Sequence, residues 1–258
     1  MKQELRIFLA AIQYFTRIPV PAWVGHAPDR LAQAARYLPM TGMLVGAVAA
    51  AVLWLGALVL PLPLAVGLSM AAGILITGAF HEDGLSDYAD GLGAADKEKI
   101  LAIMKDARTG VYGVIALVLV LLLKHQALVA LGGRRAMLYV AASLIAAHAL
   151  SRTMAVSIML TQRYVRVDDS ARAHHAAQPL SYGSFAFALL TGMAALGLLL
   201  AAGARPQSIV AALAAAVLMR AYLAWRFQQR LGGYTGDCLG AVQQLTELVF
   251  YLGLLVAI

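Results

Sequence analysis

Between His81 and Gly93 the chain reads His-Glu-Asp-Gly-Leu-Ser-Asp-Tyr-Ala-Asp-Gly-Leu-Gly, with the carboxylates Glu82, Asp83, Asp87 and Asp90 close together. Only 13 of the 258 residues are acidic, so this is a local concentration of negative charge. At about 100° per residue, a helix brings Asp83, Asp87 and Asp90 within an arc of about 60°. Like charges stacked in this way destabilise a helix in water by roughly 0.2–0.5 kcal/mol per pair. The stretch follows a long apolar run and so lies at or near a membrane surface, where the repulsion grows and a positive partner is needed. Oxygen-only ligands select a hard divalent cation, Mg²⁺ or Mn²⁺, over zinc. An ion held by Glu82, Asp83, Asp87 and Asp90 neutralises the oxygens of a diphosphate, and an in-line displacement then needs mainly positioning and charge stabilisation. Gly84, Gly91 and Gly93 suit close approach of backbone to such a ligand. The competing reading is a solvated acidic face, but ionisable groups beside lipid are functional by default. His81 reads either as a base or as a ring bonded to backbone.

Two further stretches carry groups for the same chemistry. Lys105-Asp106-Ala107-Arg108-Thr109-Gly110-Val111-Tyr112-Gly113 sets Lys105 and Arg108 three residues apart. Arg suits bidentate phosphate binding, and a basic anchor flanking a span is the alternative. Arg230-Leu231-Gly232-Gly233-Tyr234-Thr235-Gly236-Asp237-Cys238-Leu239-Gly240 surrounds one carboxylate with four glycines. It reads as a backbone cradle, with Gly233 and Gly236 approaching substrate and Asp237 as a further metal ligand, or else as a flexible connector. Arg152 lies about 12 Å deep in a span at 1.5 Å per residue, either snorkelling or serving the acidic cluster as counter-ion. Lys124 reads as snorkelling toward the outer face, and Glu247 as paired inside the bundle. His174-His175 have no ligand partner at useful spacing, and Asp168-Asp169 read as part of a solvated loop.

The elements that must position these groups are membrane helices. The chain is 62% hydrophobic and only 13% charged, with a mean hydropathy of +0.78, against about 25% charge in soluble domains. Residues 2–16 carry Leu5, Phe8, Leu9, Ile12 and Phe15 on one side and Lys2, Gln3, Arg6 and Gln13 on the other, the pattern of an interfacial amphipathic helix. Arg17-Ile18-Pro19-Val20-Pro21 ends it. Spans are expected at about 39–60, with Gly42 and Gly46 set for close helix contact, 64–80, 111–131, 136–160, 185–202 and 208–225, with a last one ending at Ile258. The fold class is therefore all-α: a polytopic bundle of about seven transmembrane helices plus the N-terminal amphipathic helix, one integral membrane catalytic domain over 1–258.

Charge orients the bundle. Of 20 Lys and Arg residues, 14 fall in segments that seven spans place on one side and 3 on the other, which makes the first side, with the N-terminus and every polar loop of interest, cytoplasmic. The polar opening, without a short apolar core and small-residue cleavage site, gives no sign of a cleaved signal peptide. The net charge of +7 then belongs to membrane anchoring rather than to nucleic acid, and the one cysteine, Cys238, excludes an internal disulfide.

Four motifs in order carry a family resemblance. They are Arg17-Ile18-Pro19-Val20-Pro21; Phe80-His81-Glu82-Asp83-Gly84-Leu85-Ser86-Asp87-Tyr88-Ala89-Asp90-Gly91; Asp106-Ala107-Arg108-Thr109-Gly110 with Tyr112-Gly113; and Leu231-Gly232-Gly233-Tyr234-Thr235-Gly236-Asp237 with Leu239-Gly240-Ala241, followed by Glu247. Over nearly its full length the chain resembles the cobalamin synthase (adenosylcobinamide-GDP ribazoletransferase) family. That resemblance implies joining α-ribazole or its 5′-phosphate to adenosylcobinamide-GDP, with release of GMP, as the last assembly step of cobalamin in the cell inner membrane. On that reading Asp83, Asp87 and Asp90, with Glu82 and Asp237, hold Mg²⁺ against the diphosphate. Lys105 and Arg108 steady the phosphates, Arg152, Gly233 and Gly236 contribute to substrate binding, and a carboxylate or His81 takes the proton of the attacking 3′-hydroxyl. Homo-oligomerisation stays open.

The CDP-alcohol phosphotransferases expect Asp-x-x-Asp-Gly-x-x-Ala-Arg, whereas here the spacing is Asp-x-x-x-Asp-x-x-Asp-Gly. Aromatic prenyltransferases carry two Asp-rich motifs, and the second here is only Gly-Asp-Cys. A transporter would favour charges at the midplane and internal repeats, and no repeat is visible.

Overall fold

The computed structural model describes residues 2–25, 31–165 and 180–256, so His174-His175 and Asp168-Asp169 lie outside the described residues. Helix α1 (Lys2–Phe15) buries Ile7, Ala10, Ala11, Ile12 and Phe15 against the bundle, as the amphipathic spacing requires. Glu4 of α1 accepts from Tyr37 Oη at 2.7 Å and pairs with Arg36 at 2.5 Å, which fastens α1 to the entry of the first span. That hydrogen bond, aided by Arg36, holds the exposed Glu4 carboxyl below its ordinary pKa.

The short α2 (Leu31–Ala34) and a 3-10 turn lead into α3 (Leu38–Ala57), followed by α4 (Leu62–Thr77), α5 (Phe80–Gly91) and α6 (Lys97–Ile103). Then come α7 (Val111–Arg134), α8 (Met137–Thr161), α9 (Tyr182–Ala201), α10 (Pro206–Leu231) and α11 (Gly236–Val256). Six of these are long and apolar enough to cross a membrane, or seven when α4 and α5 are taken as one broken span. Among the described residues there is no strand, only an isolated bridge between Tyr164 and Tyr234.

Helices α3 and α8 run antiparallel in close contact: a Cβ on Gly42 would strike the His148 carbonyl, and one on Gly46 would meet Ile145 Cα at 2.7 Å. The expected small-residue contact at Gly42 and Gly46 is thus the central seam of the bundle. It sets the start of α3 beside the end of α8. The Tyr164–Tyr234 bridge joins the exit of α8 to the entry of α11, and hydrogen bonds from Asp90 bring α5 to the entry of α7. Every motif singled out in the sequence therefore gathers at one end of the bundle.

Two expected boundaries change. The second span was expected to run straight to Phe80; instead α4 stops at Thr77 and α5 leaves at 88°. Gly78 (φ 68°) and Ala79 (φ 60°) are both left-handed, a conformation that costs a non-glycine residue free energy, and Ala79 is the one such case among the described residues. Apolar composition continues through the break, so hydropathy alone does not reveal it. The sixth span also continues six residues past Trp225, to Leu231, and the next helix opens at Gly236, so only residues 232–235 of the expected Gly-rich loop lie outside a helix.

Candidate active site

Helix α5 lies across the end of the bundle because its sides have different chemistry. Leu85, Tyr88 and Ala89 are buried, with Tyr88 edge-on to Phe227 of α10 at 5.1 Å. At about 100° per residue, Phe80, Asp83, Asp87 and Asp90 occupy an arc of about 80° on the other side. Asp83 is exposed, and Asp87 and Asp90 are half-buried.

Asp90 is bound to the start of α7. Its two carboxylate oxygens accept from Gly110 N at 2.7 Å and Gly113 N at 2.8 Å. These amides have no intrahelical partner, and a carboxylate there also meets the favourable end of the helix dipole. A Cβ on Gly110 or Gly113 would collide with the Asp90 carboxylate, which accounts for both glycines of that motif. The 105–113 stretch and the acidic helix are thus one unit.

Asp237 reaches α5 by close packing. Gly84 of α5 and Gly240 of α11 face each other, and a Cβ on Gly84 would stand 3.1 Å from Asp237 Cα and 3.2 Å from Gly240 Cα. Gly236 opens α11 with free space where a side chain would point. Gly233 has a different use: it is buried, and a Cβ there would strike the Arg163 carbonyl beside the Tyr164–Tyr234 bridge. It supports the loop rather than lining the acidic face. Arg230 donates to the Ala94 carbonyl and so ties α10 to the segment after α5.

Lys105 is exposed, and Arg108 is 89% exposed and paired with Asp106 at 2.6 Å. The Arg108 hydrogen bonds lower the Asp106 pKa to about 2, and Asp106 in turn raises that of Arg108.

A second set of polar residues lies inside the bundle. Lys124 was expected to snorkel outward; instead it is 4% exposed, 2.6 Å from Gln244 Oε1 and 3.0 Å from Glu247 Oε1. Snorkelling fails because α11 presents these two acceptors at the depth of Lys124. Gln244 Nε2 donates to Glu82 Oε1 at 2.8 Å, and Gln243 Nε2 to Glu247 Oε2 at 2.5 Å. Arg152, 1% exposed, donates to the His148 carbonyl at 2.9 Å, and His148 Nδ1 stands 3.5 Å from Glu247. Glu247 is paired inside the bundle, as expected. Arg152 neither snorkels nor touches the aspartates; it lines a cavity of ≈ 30 Å³, room for about two waters. His81 and Glu82 line the same cavity, so both turn inward, away from Asp83 and Asp87. Apart from a paired Glu247, this network is not legible in the sequence, because its partners are up to 162 positions apart.

Among the described residues, no group of three or more His, Cys, Asp or Glu side chains is gathered to hold a metal ion. Mg²⁺ commonly takes one or two protein carboxylates together with substrate phosphate oxygens and water. Asp83 and Asp87, one turn apart on the outward side of α5, are hard-oxygen donors of that kind, and the Asp237 backbone packs on Gly84 of the same helix. They fit an ion that arrives with phosphate. Glu82, turned inward, and Asp90, bound to the α7 amides, are engaged elsewhere.

No solved structure matches this chain. Among curated proteins, one from Leptothrix cholodnii is 47% identical, covering 99% of this chain and 97% of the relative. One from Shewanella frigidimarina is 43% identical (98% and 95% covered), and one from Ralstonia nicotianae 47% identical (96% and 94%). Each is named adenosylcobinamide-GDP ribazoletransferase. The family described as cobalamin-5-phosphate synthase matches residues 7–255. That match spans nearly the whole bundle just described, acidic helix included, and the chain belongs to this family.

Proposed function

We propose that this protein transfers the cobinamide phosphate arm of adenosylcobinamide-GDP to α-ribazole or its 5′-phosphate, releasing GMP. The observation that carries the reading is the convergence of three separated motifs, in α5, at the start of α7 and at the start of α11, on one polar end of a membrane bundle.

Asp83 and Asp87, with Asp237 of the segment that packs on Gly84, are the residues that would hold Mg²⁺. When bound, the ion supplies neutralisation of the diphosphate oxygens. The protein's own part is positioning: α5 presents the carboxylates at the bundle end, and the amides of α7 fix its roll through Asp90. The ribazole 3′-hydroxyl attacks the phosphorus that bears the cobinamide arm, and the bond to the GMP oxygen breaks. The hydroxyl proton goes to a carboxylate of the outward face, since His81 is 4% exposed and turned to the inner cavity. Lys105 and Arg108, exposed in the segment that leads into α7, are the cations for incoming phosphate. The distribution of Lys and Arg along the sequence, 14 of 20 in segments that seven spans assign to one side, supports a cytoplasmic active face in the inner membrane.

The test is incubation of membranes with adenosylcobinamide-GDP, α-ribazole 5′-phosphate and Mg²⁺. GMP and cobalamin 5′-phosphate should appear in equal amounts, and EDTA should stop both. Turnover undiminished by EDTA would remove the metal from the scheme; no GMP from any ribazole acceptor would remove the function.

A further inference from the structure

The first family motif, Arg17-Ile18-Pro19-Val20-Pro21, has no role in the scheme above, yet it lies against the bend that aims the acidic helix. Arg17 N donates to the Ile76 carbonyl at 2.7 Å, tying the exit of α1 to the last turn of α4. Its side chain lies over Gly78, where any Cβ would collide with the guanidinium. Thr16 Oγ1 accepts from Ile18 N at 3.1 Å and donates to the Ile12 carbonyl at 2.7 Å, fixing the backbone on both sides of Arg17. Phe15 meets Phe80 edge-on at 6.2 Å. Phe80, Asp83 and Asp87 share an arc of about 60° on α5, so the Arg17 segment stands at the head of the face that carries the two aspartates. Arg17 is exposed, and no carboxylate pairs with it among the described residues. Arg108, by contrast, is already paired with Asp106.

We propose that Arg17 is a substrate-binding residue whose guanidinium takes phosphate oxygens of the diphosphate at the head of the acidic face. A guanidinium presents paired N–H donors that match two phosphate oxygens at once, which an ammonium does not. The same chemistry would serve a lipid headgroup phosphate, because the segment lies at the membrane-surface end of the bundle. The proposal commits to the substrate diphosphate, and it rests on the transferase reading only for the identity of that substrate.

The experiment measures binding of inorganic pyrophosphate with Mg²⁺ to the full chain in detergent free of added lipid, for wild type, Arg17→Lys, Arg17→Ala and the opposite-end control Arg205→Ala. Arg17→Ala should weaken binding at least tenfold and Arg17→Lys by an intermediate factor, with Arg205→Ala unchanged and all melting temperatures equal. In turnover assays Arg17→Ala should raise KM for adenosylcobinamide-GDP more than it lowers kcat. Pyrophosphate affinity and KM both unchanged in Arg17→Ala would overturn the proposal. So would a defect seen only when anionic vesicles replace neutral ones, which would assign Arg17 to lipid. If pyrophosphate binding depends on Arg17 but no GMP forms, the residue assignment stands and the transferase reading fails.

Discussion

At the scale of single residues, the four carboxylates of the acidic stretch have separate tasks. Asp90 serves the fold by capping α7, Glu82 joins the inner network, and Asp83 and Asp87 remain on the outward face. Asp90→Ala leaves two half-buried amides without their charged acceptor and should cost about 2 kcal/mol, while Asp90→Asn should cost less because one carbonyl oxygen remains. Thermal unfolding in detergent checks the order. The Asp106–Arg108 pair bears on pH. A carboxyl depressed to about 2 in the folded state contributes order that is present above its ordinary value near ~4 and lost as pH falls through about 2. Both partners thus stay ionised between pH 5 and 9, in units typical of assays, and Asp106→Asn should leave the shape of the pH–rate profile unchanged over that range. The sequence showed which residue types cluster; it did not show that Asp90 looks toward Gly110 and Gly113, since a shared helix face does not say which neighbour occupies it.

At the scale of elements, the acidic helix is held at three azimuths: by Glu82 on Gln244, by Gly84 on Gly240 and by Asp90 on the start of α7. The first hold runs into a buried set with two cations, Lys124 and Arg152, and two carboxylates, Glu82 and Glu247. Burying such charges is costly unless each is paired. Lys124→Met removes the cation paired with Glu247 at 3.0 Å and should destabilise the protein by about 3–5 kcal/mol, whereas Lys124→Met with Glu247→Leu should recover most of that loss. Chemical or thermal unfolding of the two variants decides this, and a double variant as unstable as the single would contradict the pairing. Helix positions were readable from apolar runs to within a few residues. The right-angle break at Gly78–Ala79 was not, because left-handed backbone leaves no trace in hydropathy and Ala is an unexpected residue to adopt it.

At the scale of the whole molecule, the order of helices brings motifs from residues 17, 83–90, 105–113 and 230–240 to one end, although no two are sequence neighbours. That convergence follows from the alternation of spans, so the general location of the site was accessible from the sequence. The inner network was not, since it needs the relative rotation of α5, α7, α8 and α11. Orientation is checked by single cysteines at exposed positions in a Cys238→Ala background: in intact cells a membrane-impermeant maleimide should label Gln207→Cys, and Ala107→Cys only after permeabilisation. The reverse pattern would turn the active face outward.

The central claim is that the outward aspartates of α5 carry the reaction. It is tested most directly by GMP release from adenosylcobinamide-GDP and α-ribazole 5′-phosphate by purified Asp87→Asn protein whose melting temperature matches wild type. Turnover should fall by at least a thousandfold, on the order of 4 kcal/mol in the barrier. A variant that keeps near-normal turnover would contradict the account.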